Sequence, residues 1–147
     1  QELEQILATP SYGFRVQLLT YVLVSASFSL FFGGSWLDAV ASGIIGVGLK
    51  CLDRLIRRTE ANAFLSALLC SCLGGLLAGL AVRFHLGDSV EMISIGNIML
   101  LIPGVALTNS LRDMFSGNTI SGLMRFIEAI LLALTIAFGF ALAASLL

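Results

Sequence analysis

Leu100 to Arg125 reads LLIPGVALTNSLRDMFSGNTISGLMR: an apolar run, a Pro-Gly break, a polar and charged loop, then the start of another apolar run. In a water-soluble protein that order would be ordinary. The chain is 58% apolar and 12% charged, about half the charge of a typical soluble domain, with a mean hydropathy of +1.00. In such a chain the order marks a broken transmembrane helix that carries polar groups into the bilayer, which is how a membrane protein builds a path for a polar solute. Its 147 residues leave room for one domain, and their apolar surface exceeds what one soluble core can hide. The expected fold class is all-α: a polytopic membrane protein of five transmembrane helices, the fourth broken at Pro103-Gly104.

Working outward, the apolar segments are Val16 to Leu37, Ala39 to Leu49, Ala61 to Val82, Met92 to Leu111, and Ile127 or Ala129 to Leu147. A span needs about 20 residues at about 1.5 Å each. The first, third, fourth and fifth segments meet that length, and the second is short. With a cytoplasmic amino terminus, the inner side receives Arg15, Lys50, Arg54, Arg57, Arg58, Arg112 and Arg125, and the outer side only Arg83. Lys and Arg favour the cytoplasmic side. Omitting the second span would scatter that cluster across both faces. Residues 1–14 read as a cytoplasmic linker or interfacial helix ended near Pro10, and 15–147 as the five-helix domain. The chain opens with Gln and without a signal-peptide pattern, which points to processing or to a portion upstream.

Segment four holds the candidate substrate path. Pro103 has no N–H for the Met99 carbonyl, and Gly104 leaves the backbone uncovered. Freed carbonyls and the amino terminus of the second half-helix can bind an ion or an anionic group. Asn97, Thr108 and Asn109 flank the break; at about 100° per residue, Asn97, Gly104 and Thr108 share a face if the kink is modest, with Arg112 one turn beyond. Gate or coupling candidates are Asp38, Arg112, Asp113, Arg125 and Glu128. Arg125 and Glu128 are three apart and can pair along one helix. Glu128 lies 19 residues before Leu147, about 28 Å at helical rise, near the inner edge of the hydrocarbon. Asp38 competes between gating and starting the second helix. The bland alternative stands beside each: Pro kinks and Ser, Thr and Asn packing are common in transmembrane helices.

Other chemistry finds little support. Cys51, Cys70 and Cys72 have no zinc spacing, and Cys70 and Cys72 point about 200° apart on a helix. His85 stands alone in a short loop, so no metal or cofactor is expected. No Ser-His-Asp or His-Glu-x-x-His set occurs, which argues against an enzyme. The basic residues form no aromatic-interleaved stripe, which argues against nucleic acid. Lys50 to Arg58, KCLDRLIRR, alternates apolar and basic residues and reads as a helix end against anionic headgroups. Small residues in segments two and three (Ala39, Ser42, Gly43, Gly46; Gly75, Gly79) favour close helix packing, within the bundle or against another subunit.

Ile102 to Glu128, with Pro103-Gly104, Thr108-Asn109, Asp113, Ser116-Gly117, Gly122-Leu123 and Arg125, resembles the threonine/serine exporter family. Gly34 to Asp38 with Ala39-Val40 is a second point of likeness. The resemblance implies secondary export of small amino acids driven by the proton gradient; the expected location is the cell membrane, with the cytoplasmic amino terminus that the Lys and Arg distribution sets. Some split members are associated instead with dicarboxylate export, notably of succinate. Members of the larger-subunit type carry a cytosolic domain before five spans, and this chain looks like their membrane half. The implied partners are membrane lipid, a small-molecule substrate, the proton, and a second five-span subunit or a homo-oligomer packed through segments two and three. A reading from another class is a non-transporting assembly subunit.

The topology is open to direct measurement. Cysteines placed at Ser35 and Ser89 should label from outside, and those at Thr59 and Ser116 from inside; labelling of Ser35 and Thr59 from one side would end the five-span reading.

Overall fold

The computed structural model describes residues 13–57 and 62–146. The expected interfacial helix before Pro10 lies outside them. Six helices follow in order: α1 (Phe14–Phe31), α2 (Trp36–Arg57), α3 (Ala63–Arg83), α4 (Val90–Leu101), α5 (Gly104–Phe115) and α6 (Thr119–Leu146). Among the described residues α1, α3 and α6 are long and apolar enough to cross a membrane. α4 and α5 add a fourth crossing if the pair, bent by 48°, counts as one. α2 has 22 residues, about 33 Å and long enough to span. Asp38, Lys50, Asp53, Arg54 and Arg57 make it too polar to qualify by composition, so the fifth span stays an inference from charge distribution.

Three helix ends explain where the boundaries depart from the apolar runs. α1 stops at Phe31, six residues before the run does: Gly33 turns at φ +99°, its N–H bonding Leu30 O at 3.0 Å, and the Gly34 N–H reaches back to Ser29 O at 2.9 Å. The two reverse bonds close a Schellman motif, and Leu37 passes to α2. Gly117 (φ +93°) ends α5 in the same way, with Asn118 N–H on Asp113 O. At the end of α3 the left-handed position falls to His85 (φ 58°), with Leu86 N–H on Ala81 O at 2.8 Å. The solitary histidine is thus an exposed helix stop. α6 begins at Thr119, eight residues or more before the expected start, because Thr119 to Arg125 extends the helix beyond its apolar run to pack on α5.

The fourth segment is interrupted where the proline requires it. Ile102 is extended (φ −60°, ψ 130°), as a residue before proline must be. Pro103 (φ −78°, ψ 56°) sits at the centre of an inverse γ-turn in which Gly104 N–H bonds Ile102 O at 2.8 Å. A side chain at Gly104 would meet nothing within 4 Å, so the break leaves open space on that side.

α2 and α4 each pack against the other and against both α1 and α3, which do not meet; α6 lies chiefly along α3, and among the described residues α5 touches α6 alone. Ala41, Ile45, Leu49, Cys70, Ala78 and Ile93 make the apolar core. The small-residue faces are used inside the chain. A Cβ at Gly75 would stand 2.5 Å from the Ala143 side chain, and one at Gly139 would collide with Ser71. Gly43 and Gly46 likewise sit against Val22, Ser25 and the Tyr21 carbonyl of α1. The expectation that segments two and three offer these faces to a partner is therefore corrected: α1 and α6 already occupy them, and close backbone approach is what the glycines provide.

Gly75→Leu should overpack the α3–α6 seam and destabilise the protein by about 1–3 kcal/mol, seen as a lower melting temperature in detergent. An unchanged melting temperature would mean the two helices do not meet there.

Candidate functional site at the helix break

The polar residues fall into three groups. The first is a buried knot in which α1, α2 and α4 converge. Ser25 Oγ lies 2.6 Å from Ser42 Oγ and donates to Asn97 Oδ1 at 3.0 Å. Asn97 Nδ2 donates to the Ile93 carbonyl at 2.9 Å and to Ser42 Oγ at 3.4 Å. All three side chains are fully buried. The approach rests on Gly96, where a Cβ would collide with Ser42 Oγ and stand 2.5 Å from the Ser25 carbonyl. Ser29, one turn beyond Ser25, is also buried, and its hydroxyl has no hydrogen-bond partner. In hydrocarbon a satisfied knot of this kind fixes helix positions.

The second group is a latch at the end of the bundle where α1 turns into α2. Asp38 and Ser35 form a reciprocal capping box: Ser35 N–H donates to Asp38 Oδ2 at 3.0 Å, and Asp38 N–H to Ser35 Oγ at 3.2 Å. Asp38 Oδ1 accepts from Asp88 and Ser89 N–H at 2.7 and 3.0 Å. The carboxylate thus ties the 33–35 turn to the 84–89 turn while starting α2. Of its two expected roles, helix start is the one this geometry serves.

The third group surrounds the break. Pro103 and Asn109, with Ala106, face Arg125 and Glu128 of α6 and Ala63 and Phe64 of α3 across a cleft of about 380 Å³. A neighbouring cleft of about 330 Å³ shares Ala63 and Leu132 and adds Tyr21, Asp53 and Ser66. Gly104 N–H is taken by the γ-turn, so the first-turn donors left at the start of α5 are Val105 and Ala106. Arg125 Nη1 bonds Asp113 Oδ2 at 3.0 Å across the α5–α6 turn. The Arg125–Glu128 pair expected from their spacing gives way to this cross-helix pair, because Asp113 comes within direct reach of the guanidinium once α5 folds back on α6. The turn itself is tight: a Cβ at Gly122 would lie 2.8 Å from both the Ser110 carbonyl and the Met114 nitrogen.

The expected path residues are therefore divided. Pro103, Asn109, Arg125 and Glu128 come together, with Asp113 bound to Arg125. Thr108 is exposed on α5 and bonds its own Gly104 carbonyl at 3.0 Å, and Arg112 is exposed one turn on. Asn97 lies on the other side of the 48° bend among helices that α5 never touches, so the shared face with Thr108 does not form. Sequence reasoning passed over Ser25, Ser29 and Gly96. The four-residue step from Ser25 to Ser29 on an apolar helix was the available signal, since it puts two hydroxyls on one face. Among the described residues no three His, Cys, Asp or Glu side chains converge as metal ligands.

Comparison with known proteins gives the family. A protein family model described as "Putative threonine/serine exporter" matches residues 1–147. The "Threonine/serine exporter" of Corynebacterium glutamicum is 27% identical over 138 residues, covering 88% of this chain and 27% of that protein. The "Probable succinate transporter subunit YjjP" of Klebsiella aerogenes is 25% identical over 122 residues, covering 82% of this chain and 47% of that protein. The chain thus spans between about a quarter and a half of the relatives it matches. No solved structure matches. With the match running from the first residue to the last, the chain belongs to the threonine/serine exporter family, a family of membrane transporters.

Proposed function

We propose that this chain is one part of a proton-driven secondary exporter of threonine and serine, and that its substrate passes the cleft beside the Pro103-Gly104 break. The observation that carries the reading is Arg125 and Glu128 lining one cleft with Asn109. A zwitterion needs one cationic and one anionic contact. Arg125 can take the α-carboxylate with its planar fork, Glu128 the α-ammonium, and Asn109 a side-chain hydroxyl. Among the described residues Glu128 has no ion-pair partner, so it is also the group we assign to proton coupling. Asp38 is a poor candidate for that role, because three backbone N–H groups already hold its carboxylate.

The reading places five spans in the cell membrane with a cytoplasmic amino terminus. Five spans put the chain's ends on opposite sides, so a homologous five-span unit continuing from Leu147 would run inverted, a common basis for alternating access. The name of the Klebsiella relative, a transporter subunit, supports a partner. The surface we assign to it is α5, which among the described residues touches α6 alone and exposes Thr108, Asn109 and Arg112. Polar residues in a bilayer face protein or a water-filled cavity.

That relative's name also favours a second reading, a dicarboxylate such as succinate as cargo. Two carboxylates want two cationic contacts, and among the described residues Arg125 is the one basic residue lining this cleft; Arg112 would have to turn toward it.

Two measurements test the assignment. In proteoliposomes holding the chain with its partner, Arg125→Gln and Glu128→Gln should each cut radiolabelled serine and threonine flux about tenfold or more, as the loss of a charge-assisted hydrogen bond does. Succinate flux that exceeds serine flux would select the dicarboxylate. Asn97→Ala should cost about 1–3 kcal/mol of stability by removing the side-chain hydrogen bonds that tie α4 to Ser25 and Ser42. Asn109→Ala should change stability by less than about 0.5 kcal/mol yet reduce flux. If Asn109→Ala spares flux, or costs as much folded protein as Asn97→Ala, the cleft is not the path.

A further inference from the structure

Away from the cleft, α1 and α2 form a second polar feature that the transport reading does not use. Lys50 Nζ sits 4.7 Å from the centroid of the Tyr21 ring, and Arg54 Cζ sits 4.3 Å from that of Phe14. Two cations on α2, one turn apart, are thus held over aromatic faces of α1 rather than left to sweep bulk water. Between the helices Val16, Gln17, Thr20, Tyr21 and Lys50 line a groove of about 400 Å³. Asp53, 3.9 Å from Lys50, is the acidic counterweight, so among the described residues Lys50 and Arg54 meet one anion here. At about 100° per residue the grooved face of α1 continues through Val24, Phe28 and Phe31, of which the two phenylalanines are exposed.

We propose that this groove is a binding site for one anionic glycerophospholipid. Its phosphodiester would lie between Lys50 and Arg54, and an acyl chain along Val24, Phe28 and Phe31. Charge complementarity selects the headgroup, and a mainly apolar continuation toward the bilayer interior selects a lipid over a soluble anion. α1 is apolar and long enough to span, so such lipids surround it at high local concentration. The site rests on the chain lying in a bilayer and is independent of its cargo.

Native mass spectrometry of the full chain, extracted from phosphatidylcholine vesicles containing a minority of phosphatidylglycerol, reads the occupancy. Wild type should retain phosphatidylglycerol well above its bulk proportion. Each basic residue near the surface is worth about fivefold in such preference, so Lys50→Gln should lower the enrichment about fivefold and Lys50→Arg restore it. Arg83→Gln, at the opposite end of the bundle, should leave it unchanged. Should Lys50→Gln not fold, wild type alone decides: its enrichment must fall as salt is raised. No enrichment in wild type at low salt, equal loss in Arg83→Gln, or displacement of the lipid by inorganic phosphate would overturn the proposal.

Discussion

A proline carries no amide hydrogen, and in a bilayer no water stands ready to replace it. That constraint at Pro103 organises the half of this chain that holds the cleft. It ends α4 at Leu101, sets the inverse γ-turn, and starts α5 at Gly104 at an angle of 48° to α4. Because α5 departs at that angle, it leaves the other helices and rests on α6 alone. The space opened between them is the cleft holding Asn109, Arg125 and Glu128. A straight fourth helix would have no reason to leave α1 to α3 and would leave no such space beside Arg125.

The break is tolerable because the other half of the segment is fixed. α4 is held to α1 and α2 by the Ser25–Ser42–Asn97 knot, which Gly96 lets the backbones approach. The Asp38 latch pins the loop that feeds α4, and α6 is seated on α3 through Gly75, Gly139 and Ala143. Rigid seams on one side and an open polar helix on the other suit a transporter, which needs a post to work against and a surface that exchanges partners.

Much of this was legible from residue order. Pro103-Gly104 announced the break, because a missing donor has the same consequence in any helix. The long-range pairings were hidden. Spacing along one helix offered Glu128 to Arg125, but Asp113 reaches the guanidinium only after α5 doubles back, a contact between residues 12 apart in sequence. The polar strip from Asn97 to Thr108 assumed a modest kink, and the bend separates them. Ser25 and Ser42 looked like ordinary small residues, since a serine in a transmembrane helix usually bonds its own backbone and nothing local shows that two helices will bring two hydroxyls together. His85 took a left-handed position that glycine more often fills, so the end of α3 carried no glycine signal.

The central claim is that substrate enters the cleft beside the break. In a chain with Cys51, Cys70 and Cys72 replaced and a single cysteine placed at Asn109, the rate of modification by a membrane-impermeant thiol reagent measures access to that cleft. The account predicts that the Asn109 cysteine reacts, and that serine or threonine slows it in a saturable way while the D-enantiomers do not. A labelling rate indifferent to serine, threonine and succinate at saturating concentration would contradict it.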